Sequence, residues 1–312
     1  MHKSKVVLGS GISGFIAQLF NPDSLMITKN IGTSFPFGPS FVHKTPENET
    51  LMDKLNMSKD SRMINVGYFY NGKSVSENDL TPEILREYYE KSRAFEVKKG
   101  RLSRSFIAFV PSFSGIISKI ESYVRGNRIY AEVVGINTEE GELTLEYDGQ
   151  LVNVKYDNLI SSIPLIDFLK MSDVDSMNYE TLQYTPMTAV LLETEDIVAN
   201  SLCGFDYVYI LDKKSPCLRI TKHEGRLILE FSGELSDEDA SLAVVETLGD
   251  VGFHLCGVQR RKYGKLKTIE KLPEINGVRF VGRFGKWQDE ILLQDVVREF
   301  LNENYQQLEV KK

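Results

Sequence analysis

Apolar and polar residues near the N-terminus are arranged as short hydrophobic runs separated by a glycine-rich turn. Residues 4–8 predict a short buried strand, "GFIAQLF" predicts a helix that ends before Pro22, and "SLMITK" predicts a second strand. This strand-helix-strand order is the unit from which parallel sheets with covering helices are built.

The rest of the chain combines strand-like and helix-like patterns. Asn71-Gly72 between two runs of strand formers predicts a hairpin, and turns at Glu140-Gly141 and Asp148-Gly149 predict a three-stranded meander. Residues 185–233 alternate in the manner of a second, mostly antiparallel sheet, and "GVRFVGRFG" predicts one further strand. Helices are predicted in "ENETLMDKLNM", "TPEILREYYEKSRAF", "SGIISKIESYV", "SDEDASLAVVETLGDVG" and "ILLQDVVREFLNENY".

These patterns predict an α/β protein with two structural parts. The first is a Rossmann-like nucleotide-binding fold, a parallel sheet with an inserted β-meander, and "NLISSIP" returns the chain to that sheet. The second is a mostly antiparallel sheet. We assign residues 1–45, 100–165 and 274–312 to the first domain, and residues 46–99 and 166–273 to the second.

Composition narrows the function classes. The chain has 312 residues, 42% hydrophobic and 26% charged, with a formal net charge of −7. The acidic balance makes nucleic-acid binding an unexpected function. Three separated cysteines and four histidines without ligand spacing predict neither a disulfide framework nor a metal site. No apolar stretch is long enough to cross a membrane, "MHKSK" and its apolar run make a poor secretory signal, and a cytoplasmic location is expected.

The turn "GSGISG" has the G-x-G-x-x-G spacing of a dinucleotide-binding turn at Gly9, Gly11 and Gly14. The first glycine permits a tight turn, the second lets a pyrophosphate approach the backbone, and the third packs the helix on the strand. An acidic residue normally follows at the end of the second strand, where Thr28 and Lys29 stand here. A glycine turn kept only for packing is the open alternative.

Seven segments, in order, resemble the flavin-dependent amine oxidase and UDP-galactopyranose mutase group, and they span nearly the whole chain. They are "GSGISG", "FGPSFVHKT", "YFYNGKSVS", "EVVGINTEEGELTL", "YDNLISSIPLIDFL", "VYILDKKSPCLRITKH" and "VRFVGRFGKWQDEILLQDVV". Two features depart from that group. The Gly-Gly segment after the second strand is reduced to "NIGTSFPFGPS", and the chain is short for the group.

The resemblance implies FAD as cofactor, and it implies that the second part of the chain is an antiparallel-sheet substrate domain. It places the pyrophosphate at the glycine turn and again at Arg283 beside the last helix, the adenine at the backbone of Val133, and Ser162 near the cofactor. For Arg283 the open alternative is a surface arginine after a strand. For Trp287 it is a tryptophan that only covers an edge of the core. The full set of implied cofactor-binding residues is Gly9, Ser10, Gly11, Ile12, Ser13, Gly14, Thr28, Lys29, Val133, Ser162, Gly282, Arg283 and Trp287.

The same resemblance implies catalytic roles for His43, near the flavin ring, and Arg219, facing the substrate. A histidine satisfied by a backbone carbonyl and an arginine on an exposed strand are the open alternatives. A mutase would need a second cation beside Arg219, for which Arg101 or Arg104 is the candidate, whereas an amine oxidase would show an aromatic cage.

The implied function is an FAD-dependent enzyme that acts on a small substrate, a sugar nucleotide or an amine, over the flavin N5 atom. Two reactions fit the group, hydride transfer to the flavin and flavin-mediated isomerisation of a sugar nucleotide. The contrasting hypothesis is a degenerate flavoprotein-like binding module without catalysis, which the missing ribose carboxylate and the shortened Gly-Gly segment favour.

Overall fold

The computed structural model describes residues 1–29, 41–95, 102–111, 113–124, 127–174, 181–194, 204–223, 225–249 and 253–310. Two seven-stranded sheets and one three-stranded sheet form its framework.

The first sheet has the parallel core expected of a nucleotide-binding fold. Its order is β8 (Arg128–Tyr130), β2 (Leu25–Thr28), β1 (His2–Leu8), β11 (Gln150–Ser161), β10 (Glu142–Tyr147) and β9 (Glu132–Asn137), with β17 (Val278–Phe280) beside the end of β11. β1 pairs in parallel with β2 and β11, whereas β9 and β10 pair antiparallel. The meander and the return strand are therefore continuous, since β11 serves both.

Helices cover one face of this sheet. They are α1 (Ile12–Phe20), α2 (Pro46–Lys54), α4 (Phe113–Val124) and α8 (Leu293–Val310). Alternate residues of β1 point to opposite faces: Val7 packs among these helices, whereas Val6 and Leu8 pack on the other side with α5 (Leu165–Met171). Burial on both faces explains why the strand reads as a continuous apolar run.

The second sheet carries the antiparallel pattern of residues 185–233. Its order is β16 (Phe253–Leu266), β12 (Tyr184–Thr194), β15 (Arg226–Ser232), β14 (Cys217–His223), β13 (Tyr207–Ile210), β5 (Val66–Tyr70) and β6 (Lys73–Val75). One face packs on α6 (Asp237–Leu248), and the other packs on α3 (Pro82–Lys91). The hairpin β5–β6 joins this sheet through a parallel pairing of β5 with β13.

A small third sheet has the order β3 (Val42–His43), β7 (Phe106–Phe109) and β4 (Ser61–Ile64). One turn of 3-10 helix, Glu77–Asp79, precedes α3. A four-residue helix, α7 (Gly282–Gly285), follows β17.

The predicted fold class is confirmed: an α/β sheet with an inserted meander and a separate, mostly antiparallel sheet. The predicted caps also hold, since the Thr81 and Ser236 hydroxyls accept hydrogen bonds from main-chain N–H groups in the first turns of α3 and α6. The Asn71-Gly72 turn has positive φ at both residues, 52° and 73°, as a tight hairpin requires.

Two segments differ from the sequence interpretation, and one bears on the domain boundary. "GVRFVGRFG" is a strand only to Phe280, because Gly282 takes a φ of 72° and begins α7. Leu51 and Met52 of α2, which we assigned to the second domain from sequence, are buried together with residues of α1 and α8. The long strand β16 was not predicted. Its charged and polar residues break the alternation that marks a strand.

Candidate functional site

The glycine turn joins β1 to α1, and the space around each of its three positions gives a different reason for a glycine there. Gly9 has a φ of 98°, which disfavours any side chain there. At Gly14, a methyl group would lie 2.0 Å from the Gly9 carbonyl oxygen, so only glycine allows the helix to pack this closely. At Gly11, a methyl group would meet no atom of the described chain within 4 Å. The turn is therefore closed on the protein side and open above Gly11.

The first turn of α1 faces this open space without a cap. Gly11 occupies the N-cap position, and no side chain of the described residues accepts a hydrogen bond from the first N–H groups of the helix. Unsatisfied N–H groups and the positive end of the helix dipole favour a negatively charged ligand at this position. This arrangement suits the pyrophosphate of a dinucleotide.

A cleft of about 670 Å³ opens at the same edge of the first sheet. The chain segments that line it come from the ends of β1, β2 and β11 and from the start of β9. Its lining residues are Leu8, Gly9, Ser10, Gly11, Ile27, Thr28, Lys29, Ala131, Glu132, Val133, Ser162, Ile163, Pro164, Asp167, Lys170, Met171 and Phe284. Seven of the residues predicted to bind the cofactor thus come together here: Gly9, Ser10, Gly11, Thr28, Lys29, Val133 and Ser162.

The expected ribose position is polar but carries no carboxylate on β2. The hydroxyl oxygens of Ser10 and Thr28 lie 2.6 Å apart. The Lys29 ammonium pairs with the Glu132 carboxylate at 2.6 Å, and both side chains are exposed. Glu132 was not predicted as a site residue, although it directly precedes Val133. A carboxylate therefore does line the cleft, but it comes from β9 and is shared with a lysine.

Ser162 fixes the turn from the side of β11. Its hydroxyl donates to the carbonyl oxygen of Leu8 at 3.0 Å, and its N–H donates to the same oxygen at 2.9 Å. A methyl group on Gly9 would lie 2.7 Å from this hydroxyl. Ser162 therefore shapes the backbone of the turn while it lines the cleft.

The closing motif reaches the turn through Gly282. A methyl group on Gly282 would lie 2.1 Å from the Ser13 hydroxyl, so α7 lies directly against the start of α1. Five further residues that are predicted to bind the cofactor do not line the cleft: Ile12, Ser13, Gly14, Gly282 and Arg283. Arg283 donates to the Gly264 carbonyl oxygen at 2.6 Å and to the Asp289 carboxylate. Its guanidinium is directed at the second sheet rather than at the glycine turn.

Trp287 belongs to the core. Its side chain is 0% exposed and packs against Tyr184 and Tyr263, with ring centroids 6.3 and 5.5 Å away. A ring without accessible surface has nothing to offer a ligand. This position corrects the expectation that Trp287 contacts the cofactor and agrees with the alternative of a core-edge tryptophan.

His43 lies on β3, where its ring stacks on Phe106 with centroids 4.0 Å apart and an interplanar angle of 6°. Burial lowers the pKa of its imidazole. The His43 carbonyl oxygen accepts a hydrogen bond from the Asn48 amide at 2.8 Å. These contacts hold His43 between strand and helix, and it does not line the cleft. Residues 37–40 of the same predicted loop lie outside the described part of the chain.

Arg219 lies on the face of the second sheet that carries Tyr207 and Tyr209. Its guanidinium pairs with Glu230 on the neighbouring strand at 2.6 Å and contacts the Tyr207 hydroxyl at 3.3 Å. Glu230 is 0% exposed. Burial opposes the charge on Arg219, but Glu230 and the surrounding tyrosines outweigh it and raise the pKa of the guanidinium.

Arg104, one candidate for the second cation, pairs with Glu77 at 2.5 Å and is exposed. Arg101 lies outside the described residues. Two cations that were not predicted, Arg261 and Lys265 of β16, lie instead on the Arg219 side of the sheet. Both are half-buried.

Potential metal ligands meet at the opposite end of β12 and β16. The ligand atoms of Glu193, His254 and Cys256 lie within 4.8 Å of one another, and Glu193 also pairs with Arg226 at 2.7 Å. The opposite end of β16, which carries Lys265, is the end that contacts the first domain. This group is therefore remote from the cleft. No helix among the described residues is both long and apolar enough to span a bilayer.

No protein-family model matches the sequence, and no curated protein matches it either. Solved structures do match the fold. A reduced UDP-galactopyranose mutase is 14% identical, covers 94% of this chain and 92% of its own, and superposes with a TM-score of 0.65. A putrescine oxidase bound to putrescine is 10% identical, covers 99% of both chains and has a TM-score of 0.59. A fatty acid isomerase from P. acnes is 10% identical, covers 83% of this chain and 86% of its own, and has a TM-score of 0.60.

The chain therefore has the fold found in the mutase, the putrescine oxidase and the fatty acid isomerase. At 10–14% identity the likeness concerns the fold. The names of the three proteins give different substrates, so the activity of this chain has to be argued from its own residues.

Proposed function

We propose that this protein is a flavoenzyme of the amine oxidase and UDP-galactopyranose mutase type. It binds FAD at the glycine turn and acts on a small substrate between the two large sheets. The observation that carries this proposal is the space above Gly11, where an uncapped helix start faces a cleft at the carboxyl edge of a parallel sheet.

The residues present fit the ADP half of FAD. The N–H groups at the start of α1 would hold the pyrophosphate, and the Ser10 and Thr28 hydroxyls would face the ribose. Val133 lines the cleft on the side of β9, where its backbone would meet the adenine. The missing carboxylate on β2 leaves the ribose with hydroxyl partners, together with the nearby Glu132.

Bound flavin would supply a ring that accepts a hydride or, in mutase chemistry, a nucleophilic nitrogen. The chain's own contribution is to position the substrate against that ring and to limit water access. The partly buried ring of Tyr184 and the buried rings of Tyr263 and Trp287 pack together where the two domains meet. The polar face with Arg219 and Glu230 supplies the groups that would orient the substrate.

A protein that binds FAD without turnover is the second candidate function. Both residues that the resemblance implies as catalytic have structural partners, His43 in its stack with Phe106 and Arg219 in its pair with Glu230. Turnover of a substrate, measured as flavin reduction or as isomerisation after reduction with dithionite, separates the two candidates.

The proposal is tested with Gly11→Ala. Because the added methyl meets no atom of the described chain, the variant should fold, with an N-cap cost of no more than about 1 kcal/mol. The same methyl would occupy the pyrophosphate space and reduce FAD affinity at least about tenfold, or 1.4 kcal/mol. FAD affinity is measured by titration, and FAD retention by the visible absorbance of the bound flavin.

Gly135→Ala is the matched control. Its methyl would lie 3.5 Å from Thr144 in ordinary contact on the meander, away from the turn. This variant should bind FAD as the wild type does. Equal FAD affinity in Gly11→Ala and Gly135→Ala would contradict the proposed cofactor site.

A further inference from the structure

Six charged side chains gather where the second sheet meets α7 and the segment after it, and we call them the basic face. They are Arg219, Glu230, Arg261, Lys265, Arg283 and Asp289. Four cations stand against two carboxylates, so the group carries an excess of two positive charges when Lys265 is protonated.

The two carboxylates are already used within the basic face. Glu230 pairs with Arg219, and Asp289 pairs with Arg283. The Asp289 carboxylate also accepts the N–H of Leu266 at 3.3 Å. The positive excess is therefore not neutralised by its own carboxylates, and it lies on side chains that remain partly accessible.

Lys265 differs from the other cations of this face. Within the described part of the chain its ammonium makes no hydrogen bond or ion pair, and it lies 5.9 Å from the centre of the Tyr88 ring. Burial, followed by the charge of Arg219, lowers its pKa to about 7. Burial, followed by the charge of Arg283, likewise lowers the pKa of Arg261, to about 10. Placing the Lys265 cation here without an anion is thus unfavourable.

The buried ends of the neighbouring pair are also unsatisfied. The Nε of Arg219 lacks an acceptor and the Oε2 of Glu230 lacks a donor among the residues that the structure describes. An anionic ligand would supply the acceptor that Arg219 lacks. A cationic ligand could supply a donor to Glu230 Oε2, but it would face the positive excess of the surrounding side chains.

We propose that the substrate of this protein is an anion, and that its carboxylate or phosphate group binds at Lys265 on the basic face. This proposal rests on the proposed flavoenzyme function, because it names the substrate class of that site. Lys265 acts as a specificity-determining residue that positions the anion, and no covalent step is assigned to it. An amine substrate is disfavoured by the same charges.

The first test is calorimetric titration of the FAD-loaded protein at constant ionic strength with three probes: inorganic pyrophosphate, octanoate and putrescine. We expect at least one of the two anions to bind and putrescine not to bind. Pyrophosphate binding alone identifies a phosphate source, and octanoate binding alone identifies a carboxylate source. Lys265→Met should weaken binding of the anion at least tenfold.

Lys267→Met is the matched control, since Lys267 lies just beyond β16 with an exposed side chain. It should change anion affinity less than twofold. Lys265→Arg is the second variant in case the methionine variant does not fold. Lys265→Arg keeps the positive charge, so its anion affinity should stay constant between pH 6 and 9, the range in which the wild-type affinity falls.

The pH dependence follows from the lowered pKa of Lys265. Anion binding favours the protonated amine, so affinity should decrease as pH rises through about 7, by up to tenfold per pH unit. At pH 8 binding should take up close to one proton per anion, measured from the buffer dependence of the heat. Lys265→Met should abolish this uptake, which a merely structural residue would not affect.

Three outcomes overturn the inference: putrescine binds, neither anion binds, or anion affinity is the same in the wild type and Lys265→Met. FAD uptake is measured separately on the same preparation. If the protein takes up no FAD but binds pyrophosphate through Lys265, the anion site is supported while the proposed flavoenzyme function fails. The two failures are thereby distinguishable.

Discussion

The glycine turn and the basic face are built in different ways, although both lie where a ligand would be held. In the glycine turn the backbone forms the site, and Gly9, Gly11 and Gly14 leave room for a ligand or for packing. On the basic face the side chains form the site, with Arg219, Glu230 and Lys265 supplied by three separate strands. The turn depends on shape, whereas the basic face depends on the balance of charge.

This difference teaches which substitutions each region tolerates. A methyl group added to the turn acts through space, and its effect depends on whether protein or ligand fills that space. A charge removed from the basic face acts on every neighbour, because the side chains share one poorly solvated region. The three predictions below probe this contrast.

Gly14→Ala should have the largest effect on folding. The new methyl would lie 2.0 Å from the Gly9 carbonyl oxygen, and backbone cannot move aside as a flexible side chain can. We expect the free energy of unfolding to fall by about 3 kcal/mol or more, measured by urea denaturation. Gly11→Ala is the comparison within the same turn. Equal stability of the two variants would show that the turn is not closed on the side of Gly14.

Glu230→Gln should have the next largest effect. It leaves the Arg219 guanidinium without its carboxylate partner in a buried setting, which costs about 3 kcal/mol of folding free energy. Glu193→Gln is the matched control, because the Glu193–Arg226 pair lies on the same sheet but is exposed. The control should cost less than about 1 kcal/mol. If both variants lose the same stability in denaturant titrations, the buried pair does not have the importance assigned to it.

Lys29→Ala should have the smallest effect. Its pair with Glu132 is exposed, so the free energy of unfolding should change by less than about 1 kcal/mol. FAD affinity should change less than threefold, because the Lys29 ammonium contacts Glu132. A tenfold loss of FAD affinity in fluorescence titrations would show instead that Lys29 contacts the cofactor directly.

Turns and helix starts could be predicted from sequence in both domains because their signals are local. The spacing of Gly9, Gly11 and Gly14 lies within six residues, and in the second domain the caps Thr81 and Ser236 stand directly before their helices. Turn and cap geometry is set by neighbouring residues, so a short segment carries the information. In the cleft, Val133 and Ser162 came from the resemblance, whereas Glu132 and the residues of α5 were not predicted.

The basic face could not be predicted because its residues meet only after three strands pair. One signal was present: Glu230 is a single charged residue in the otherwise apolar run "LILEF", and Arg219 stands alone in "CLRIT". Isolated charges of opposite sign in two buried strands favour an ion pair. Lys265 required the register of β16, whose pattern did not predict a strand, and Asp289 lies in the segment after α7.

The positions of the Trp287 and His43 side chains could not be predicted for a different reason. Both fall in segments that resemble a cofactor-binding group, but resemblance does not determine which way a side chain points. The φ of Trp287 is 51°, a left-handed conformation that directs its ring into the core beside Tyr263. Such a backbone position is not encoded in the residue type, since tryptophan adopts it rarely.

The central claim is that the glycine turn and its cleft hold FAD. The most direct measurement is the equilibrium titration of the purified wild-type chain with FAD, followed by flavin fluorescence, in parallel with Gly11→Ala. The account predicts saturable binding of one FAD per chain in the wild type and at least tenfold weaker binding in the variant. Absence of saturable binding, or equal binding by both proteins, would contradict it.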